Sequence, residues 1–121
     1  MITIYHNPRC SKSRDGVKVL EESGKEFKTV KYLDDNLSFQ ELTELIGKIG
    51  IQPIDLVRKN EKIWKEDYKG KDLSKTDIVN AMVNNPKLIE RPIVVTDYGA
   101  VIGRPSEKSE ELLDKPNQEP I

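Results

Sequence analysis

Cysteine and histidine are the scarcest chemically useful residues of this sequence, with one of each among 121 residues. One cysteine cannot form an internal disulfide, and one cysteine with one histidine offers no zinc cluster. We therefore expect no disulfide, no metal site and no bound cofactor. A reducing, cytoplasmic compartment is the default location for such a chain.

Long apolar runs and an excess of basic charge are also missing. No stretch approaches the ~20 apolar residues that a membrane-spanning helix needs, and the N-terminal residues resemble a strand more than a secretory signal. The net charge of -1 does not favour nucleic-acid binding, which is typical of basic domains. We expect neither a membrane nor a nucleic acid as partner.

Charged residues, by contrast, make up 34% of the chain, against 36% hydrophobic residues. This balance and the length fit one domain with a heavily charged surface and a core of its own. We predict a single domain over residues 1–114 and a flexible, proline-rich C-terminal tail over residues 115–121.

The only cysteine lies in a polar and basic segment, Tyr-His-Asn-Pro-Arg-Cys-Ser-Lys-Ser-Arg, at positions 5–14. Residues 2–5 before it read as a strand, and residues 11–23 after it read as a helix. A helix N-terminus presents unpaired N–H groups and the positive end of the helix dipole. We expect these groups, with the side chains of His6, Arg9, Lys12 and Arg14, to lower the pKa of Cys10 and make it a nucleophilic thiolate.

Other readings of this segment stay open. A lone intracellular cysteine is more often a small buried hydrophobe, although a basic turn is an unusual place for one. Ser11 and Ser13 are also common residues at helix starts, where they cap N–H groups.

The remaining pattern predicts an α/β protein with a four-stranded mixed sheet flanked by helices. Residues 2–32 form a βαβ unit whose second strand covers 26–32, parallel to the first. Helices follow behind two capping boxes, Ser38 with Glu41 and Ser74 with Asp77. A hairpin then pairs a strand at 91–96 with a strand at 101–102 through a turn at 97–100, and Ser106 caps a last helix at about 106–114.

Four motifs in this order resemble the glutaredoxin-dependent arsenate reductases, which have a thioredoxin-like fold. The matching stretches are Ile4 to Pro8 with Cys10, Ser13 and Arg14; Leu56 to Asn60; Glu90 to Thr96; and Gly103 to Ser106. They cover most of residues 2–107. The helices between the second and third strands are then an insertion in the thioredoxin-like fold. The redox pair Cys-x-x-Cys is absent, because Ser13 occupies the fourth position.

The resemblance implies a role for each matching residue. Cys10 attacks the arsenic of arsenate, while Arg58, Arg91 and Arg104 hold the oxyanion. His6 tunes the thiolate, Ser13 and Arg14 support the loop, and Pro92 is the cis proline beside the active site.

The chemistry supports these assignments independently. Planar guanidinium groups suit tetrahedral oxyanions because they donate paired hydrogen bonds and stay charged. Reduction of arsenate takes two electrons, in practice two thiols, and this chain has one. We therefore expect glutathione as co-substrate and glutaredoxin as the partner that regenerates Cys10 from the mixed disulfide.

Several alternatives remain at this point. Each arginine alone can be a surface ion pair, and Arg14 can pair with Asp15 or Glu21. A monothiol glutaredoxin-like transferase would share the Cys-x-x-Ser arrangement without needing arsenate. A non-enzymatic regulator that resembles Spx and binds RNA polymerase would share the fold. Trp64 and Tyr68 are more consistent with packing than with ligand binding.

Overall fold

A computed structural model describes residues 2–104 and 107–118 of the chain. The strands are β1 (Ile2–Tyr5), β2 (Phe27–Val30), β3 (Ile93–Thr96) and β4 (Gly99–Ile102). The helices are α1 (Ser11–Ser23), α2 (Phe39–Ile49), α3 (Lys62–Asp67), α4 (Lys75–Asn84) and α5 (Glu107–Gln118). Short 3-10 turns cover Pro53–Leu56 and Pro86–Leu88. In the described ranges no helix combines the length and apolarity needed to cross a bilayer.

The four strands form one mixed sheet in the order β2-β1-β3-β4. β1 runs parallel to β2, with Ile4 opposite Thr29, and antiparallel to β3, with Ile4 opposite Val94. β3 and β4 pair antiparallel as a hairpin. The predicted α/β class with a four-stranded mixed sheet and helices between the second and third strands is confirmed.

The contacts within the chain divide it into two compact units. The first, here called the sheet unit, consists of residues 1–35 and 91–121, and the second, the insertion unit, is the continuous segment 36–90. The single domain over 1–114 and the flexible tail stay predictions.

The core of the sheet unit joins the sheet to α1 and α5. Ile4 of β1, Val94 of β3 and Leu20 of α1 are fully buried together, and two leucines of α5, Leu112 and Leu113, close the cluster. α1 ends at Gly24, whose left-handed conformation (φ 73°) suits glycine. This core fixes α1, and with it the start of α1 at Cys10, against the sheet.

The insertion unit is built around α2 and α4, and both predicted capping boxes are present. Ser38 accepts from Glu41 N while the Glu41 carboxylate accepts from Ser38 N, and Ser74 makes the same exchange with Asp77. The apolar faces of the two helices are buried, as the side chains of Leu42, Leu45, Ile46, Ile78, Val79 and Met82 show.

Trp64 is buried and stacks on Tyr68, with 5.5 Å between the ring centroids. The structure therefore supports the interpretation that these two residues serve in packing.

Four elements have boundaries that differ from the sequence prediction. β2 covers Phe27–Val30 and β3 begins at Ile93, both shorter than predicted, because strand ends depend on the partner strand. Gly99 pairs with Thr96, so the hairpin turn shrinks to Asp97 and Tyr98. α5 continues to Gln118, beyond the predicted end at 114, and the predicted cap at Ser106 lies outside the described residues.

Candidate active site

Cys10 occupies the N-cap position of α1. Its backbone is extended (φ -100°, ψ 123°), and its carbonyl accepts the first helical hydrogen bond, from Arg14 N at 3.0 Å. Its own N–H donates to Asn7 O at 3.0 Å. The side chain is partly exposed. The sulfur therefore stands at the open end of a helix, where a reagent can reach it.

The surroundings of Cys10 favour its thiolate. Burial raises the pKa of the thiol and is the largest single influence on it. The backbone N–H of Ser13, the side chain of Arg91 and the N–H of Lys12 together outweigh burial, so the pKa lies below its ordinary value. The predicted direction is confirmed. However, much of the effect comes from backbone N–H groups and from Arg91, not from the neighbouring basic side chains to which the sequence pattern pointed.

Ser13 lies behind the Cys10 loop and is fully buried. Its hydroxyl accepts a hydrogen bond from Asn7 N at 2.9 Å and lies 2.7 Å from Nδ1 of His6. Ser13 is therefore more than a helix-start residue, because its side chain ties the first turn of α1 to the loop.

His6 is also buried, and its pKa is lowered. Burial is the main cause, the charges of Lys31 and Arg14 add to it, and a hydrogen bond with the Ser13 backbone acts in the opposite direction. The imidazole is therefore neutral at neutral pH.

Two more hydrogen bonds fix the loop. Nη1 of Arg14 donates to the carbonyl of Pro8 at 2.8 Å, and the N–H of Arg9 donates to Oδ1 of Asn7 at 3.0 Å. Arg14 thus stabilises the loop through a backbone carbonyl. An ion pair with Asp15 or Glu21, the alternative suggested by the sequence, would not have had this effect.

Arg91 and Pro92 directly precede β3, which begins at Ile93. The side chain of Arg91 is buried, and its hydrogen bonding and its charge lower the pKa of Cys10. The following peptide bond, Arg91–Pro92, is cis, as the resemblance implied. Nη1 of Arg104 lies 3.5 Å from the carbonyl oxygen of Arg91, at the limit for a hydrogen bond. The sheet unit thus brings Cys10 and Arg91 together and puts Arg104 next to Arg91.

Arg58 belongs to the insertion unit. Nη1 lies 2.9 Å from Glu61 Oε1 and Nε lies 3.5 Å from Glu90 Oε1. Its backbone N–H donates to Leu88 O at 2.7 Å. These contacts agree with the ion-pair reading of this arginine, and its role in oxyanion binding stays a prediction.

The insertion unit also contains a cavity of about 600 Å³, lined by α3 and by the end of α4 with the following turn. None of the predicted site residues lines it. Across the described ranges, no three His, Cys, Asp or Glu side chains gather in a way that could hold a metal ion.

The sequence model of the ArsC family matches residues 5–112. The chain is 42% identical over 114 residues to the uncharacterized protein YfgD of Escherichia coli K12, covering 93% of this chain and 96% of that protein. It is 38% identical over 114 residues to an arsenate reductase of Neisseria meningitidis, covering 93% and 97%.

Among solved structures, an arsenate reductase from Vibrio cholerae superposes with a TM-score of 0.87 at 41% identity, covering 91% of this chain and 95% of that one. The thioredoxin-like fold class predicted from the sequence is confirmed by this likeness.

Proposed function

The chain belongs to the ArsC family, and on this basis we propose that it is an arsenate-reductase-like thiol oxidoreductase whose nucleophile is Cys10. The observation that carries the proposal is the Cys10 sulfur at the start of α1, with its thiolate stabilised by N–H groups and by Arg91. Relatives named arsenate reductases support an enzymatic role and arsenate as substrate.

The reaction requires positive charge near the sulfur. A thiolate that approaches an arsenate anion meets repulsion of about 4 kcal/mol for unit charges 4 Å apart at an effective dielectric near 20. The guanidinium of Arg91 offsets this repulsion and donates hydrogen bonds to the oxyanion. The N–H groups at the start of α1 add donors that need no reorganisation.

The electron balance needs a second thiol. Attack of Cys10 on arsenate forms a sulfur–arsenic bond and releases one arsenate oxygen as water, while arsenic stays oxidised. A glutathione thiol then supplies the second sulfur, so that Cys10 and glutathione end as a mixed disulfide and arsenic leaves as arsenite, reduced by two electrons. Glutaredoxin returns Cys10 to the thiol. The resemblance supports both thiol partners, and the cytoplasm is the compartment where they would be available.

Arg58 and Arg104 are proposed to contact the oxyanion alongside Arg91. For Arg104 the support is its position beside the Arg91 carbonyl; for Arg58 it is the matching motif alone. Arg58→Gln should lower kcat/KM for arsenate by ~10-fold or more, as expected when an anion-binding group is removed. Glu61→Gln is the control, because it breaks the shorter ion pair of Arg58 and keeps the guanidinium. Equal kinetics in Arg58→Gln and Glu61→Gln would remove Arg58 from the proposal.

A coupled assay tests the proposed reaction. Oxidation of NADPH is followed with glutathione reductase, glutathione, glutaredoxin and arsenate, for the wild type and for Cys10→Ser. We expect arsenate-dependent turnover that is lost in the variant. Turnover on mixed disulfides without arsenate would identify a monothiol transferase instead. Absence of turnover combined with binding to RNA polymerase would identify a regulator.

Two arginine variants test the anion site. Arg91→Ala should lower turnover by ~10²-fold or more, the scale seen when a preorganised anion donor is removed. Arg91→Lys keeps the charge and loses the planar fork, so it should recover only part of the loss. Turnover unchanged in Arg91→Ala would refute the assigned role of Arg91.

A further inference from the structure

Gly16 lies on α1, on the helix that begins at Cys10, and it is buried. A methyl group built on its α-carbon would lie 2.7 Å from Cγ and 3.2 Å from Cβ of Pro92. It would also lie 3.3 Å from Cδ1 of Ile4. The absence of a side chain at position 16 is therefore what lets α1 lie directly on the ring of Pro92.

Gly103 follows β4 and also packs against Pro92. A methyl group on Gly103 would lie 3.1 Å from Cγ of Pro92 and would collide with Oγ of Ser109. The N–H of Gly103 donates to the carbonyl of Pro92 at 2.7 Å. Pro92 itself is fully buried. Two elements from distant parts of the chain thus pack against one proline ring.

Backbone conformation does not explain these glycines. The glycines with positive φ are at positions 24, 50, 70 and 99, so positions 16 and 103 have backbones that other residues also adopt. Close approach is what requires glycine at both places. A carbon added to Gly16 meets the buried ring of Pro92, and a carbon added to Gly103 meets Oγ of Ser109 and the same ring.

The packing of Pro92 bears on the chemistry through two short connections. Arg91 is bonded to Pro92, so a shift of the ring also shifts the backbone from which the guanidinium extends. Gly16 and Cys10 belong to the same helical segment, separated by about 9 Å at 1.5 Å per residue. We therefore expect a change in the distance between α1 and Pro92 to change the distance between the sulfur and the guanidinium.

We propose that Gly16 and Gly103 are positioning residues, which seat Pro92 so closely that Arg91 lies against the Cys10 sulfur and can hold an oxyanion there. The catalytic part of this inference rests on the proposed function, whereas the structural part concerns the sulfur and the guanidinium alone. Neither glycine touches the substrate, and both act through Pro92.

Gly16→Ala is the direct test, and Gly47→Ala is its matched control. Both glycines are interior residues of helices, but a methyl on Gly47 would meet nothing within 4 Å. The Cys10 titration is followed by the ultraviolet absorbance of the thiolate, and kcat/KM for arsenate by the coupled assay. Gly16→Ala should raise the Cys10 pKa by about one unit, the scale of a weakened charge partner, and lower kcat/KM by ~10-fold or more, the scale of a small misplacement. Gly47→Ala should change neither.

A second comparison uses Gly103 and avoids the collision with Ser109. Oγ of Ser109 is buried without a hydrogen-bond partner among the described residues, so Ser109→Ala sacrifices no observed bond. In that background the nearest atoms to a methyl on Gly103 are Cγ and the carbonyl oxygen of Pro92, at 3.1 and 3.7 Å. Gly103→Ala with Ser109→Ala should raise the Cys10 pKa relative to Ser109→Ala alone, by less than Gly16→Ala does.

The possible outcomes distinguish the positioning role of the glycines from the proposed reduction of arsenate. A folded Gly16→Ala protein with the wild-type Cys10 pKa and kcat/KM overturns the proposal, and so does an equal change in Gly47→Ala. If Gly16→Ala does not fold, the Gly103 pair decides by the same criteria. If the wild type does not reduce arsenate while the Cys10 pKa shifts as expected, the proposed substrate fails and the positioning role stands.

Discussion

The hydroxyl of Ser13 joins three parts of the Cys10 loop at a point that water does not reach. It accepts from the Asn7 backbone and interacts with His6, while the Ser13 backbone N–H helps to stabilise the thiolate. The side chain thus orders the loop and the backbone tunes the nucleophile. A serine in place of the second cysteine of a redox pair has a structural function here.

Ser13→Ala should therefore destabilise the fold more than a typical surface change. Removal of the hydroxyl leaves Asn7 N–H and His6 Nδ1 buried without this partner, which costs about 1–3 kcal/mol for each group left unsatisfied. Chemical denaturation measures the free energy of unfolding. Ser11→Ala, at an exposed position of the same helical turn, is the control and should change stability by less than about 0.5 kcal/mol. A matching small change in both variants would contradict the assigned role of the Ser13 hydroxyl.

His6 should give the protein a specific pH dependence. Its pKa is lowered in the folded state, mainly by burial. Below about pH 6.5 the unfolded chain binds a proton at this position that the folded chain accepts only at lower pH. The unfolded state then holds more protons, so this contribution makes the free energy of unfolding fall as the pH drops through that window.

The measurement compares denaturation at about pH 7.5 and about pH 5, on either side of the ordinary histidine pKa. His6→Asn removes the titrating group and keeps a polar atom near Ser13. Both proteins carry Cys10→Ser, so that the thiol does not contribute to the slope. We expect a larger loss of stability at the lower pH with His6 than with Asn. Equal losses would contradict the neutral, buried state of His6.

Features of the site that depend on neighbouring residues could be predicted from the sequence, whereas contacts between residues distant in the chain could not. The position of Cys10 at a helix start follows from its immediate neighbours, and the lowered pKa from general properties of helix N-termini. The approach of Arg91 to Cys10, the tight contact of Gly16 with Pro92 and the ion pair of Arg58 with Glu90 depend on residues far apart in the chain. The family motifs pointed to Arg91, but its effect on the pKa of Cys10 follows from the fold, which brings it to the start of α1.

The helices of the insertion unit start where short-range chemistry dictates. α2 and α4 each follow a serine that exchanges hydrogen bonds with an acidic residue three positions later. Helix α2 then ends at Gly50, in the left-handed conformation (φ 81°). Capping is local, so these starts were predictable from sequence. By contrast, the limits of β2 and of the hairpin depend on the register with a partner strand. The predicted β2 was therefore too long, and the predicted hairpin turn included residues that belong to β4.

Ser38→Ala should destabilise α2 by about 1 kcal/mol, the usual cost of losing an N-cap. Chemical denaturation gives the change in free energy of unfolding. Ser38→Asn retains an acceptor for the Glu41 N–H and should recover most of the loss. The Cys10 pKa should be the same in all three proteins, because Lys12, Ser13 and Arg91, which lower it, lie in the sheet unit. Wild-type stability in Ser38→Ala would show that the observed capping box contributes nothing.

At the scale of the whole molecule, the chain places its nucleophile and its insertion in different compact units. The residues around Cys10 come from the two ends of the sequence, which meet in the sheet, while residues 36–90 fold on a continuous segment. The fold class was predictable because the βαβ start, the helical middle and the hairpin follow in order along the chain. The division into two units could not be predicted, because it depends on tertiary contacts between residues that are distant in the sequence.

The presence of one cysteine in the entire chain leads to the last prediction. In the proposed mechanism the protein donates one sulfur to arsenate and cannot close an internal disulfide, so we expect turnover to depend on an added thiol. Without glutathione we expect at most one modified Cys10 per chain and no release of arsenite, as measured by intact-mass spectrometry and arsenic speciation. Added glutathione and glutaredoxin should restore multiple turnovers, with Cys10 appearing as a mixed disulfide when glutaredoxin is omitted. Arsenite produced in excess of the protein without any added thiol would contradict this mechanism, since the required electrons would then have another source.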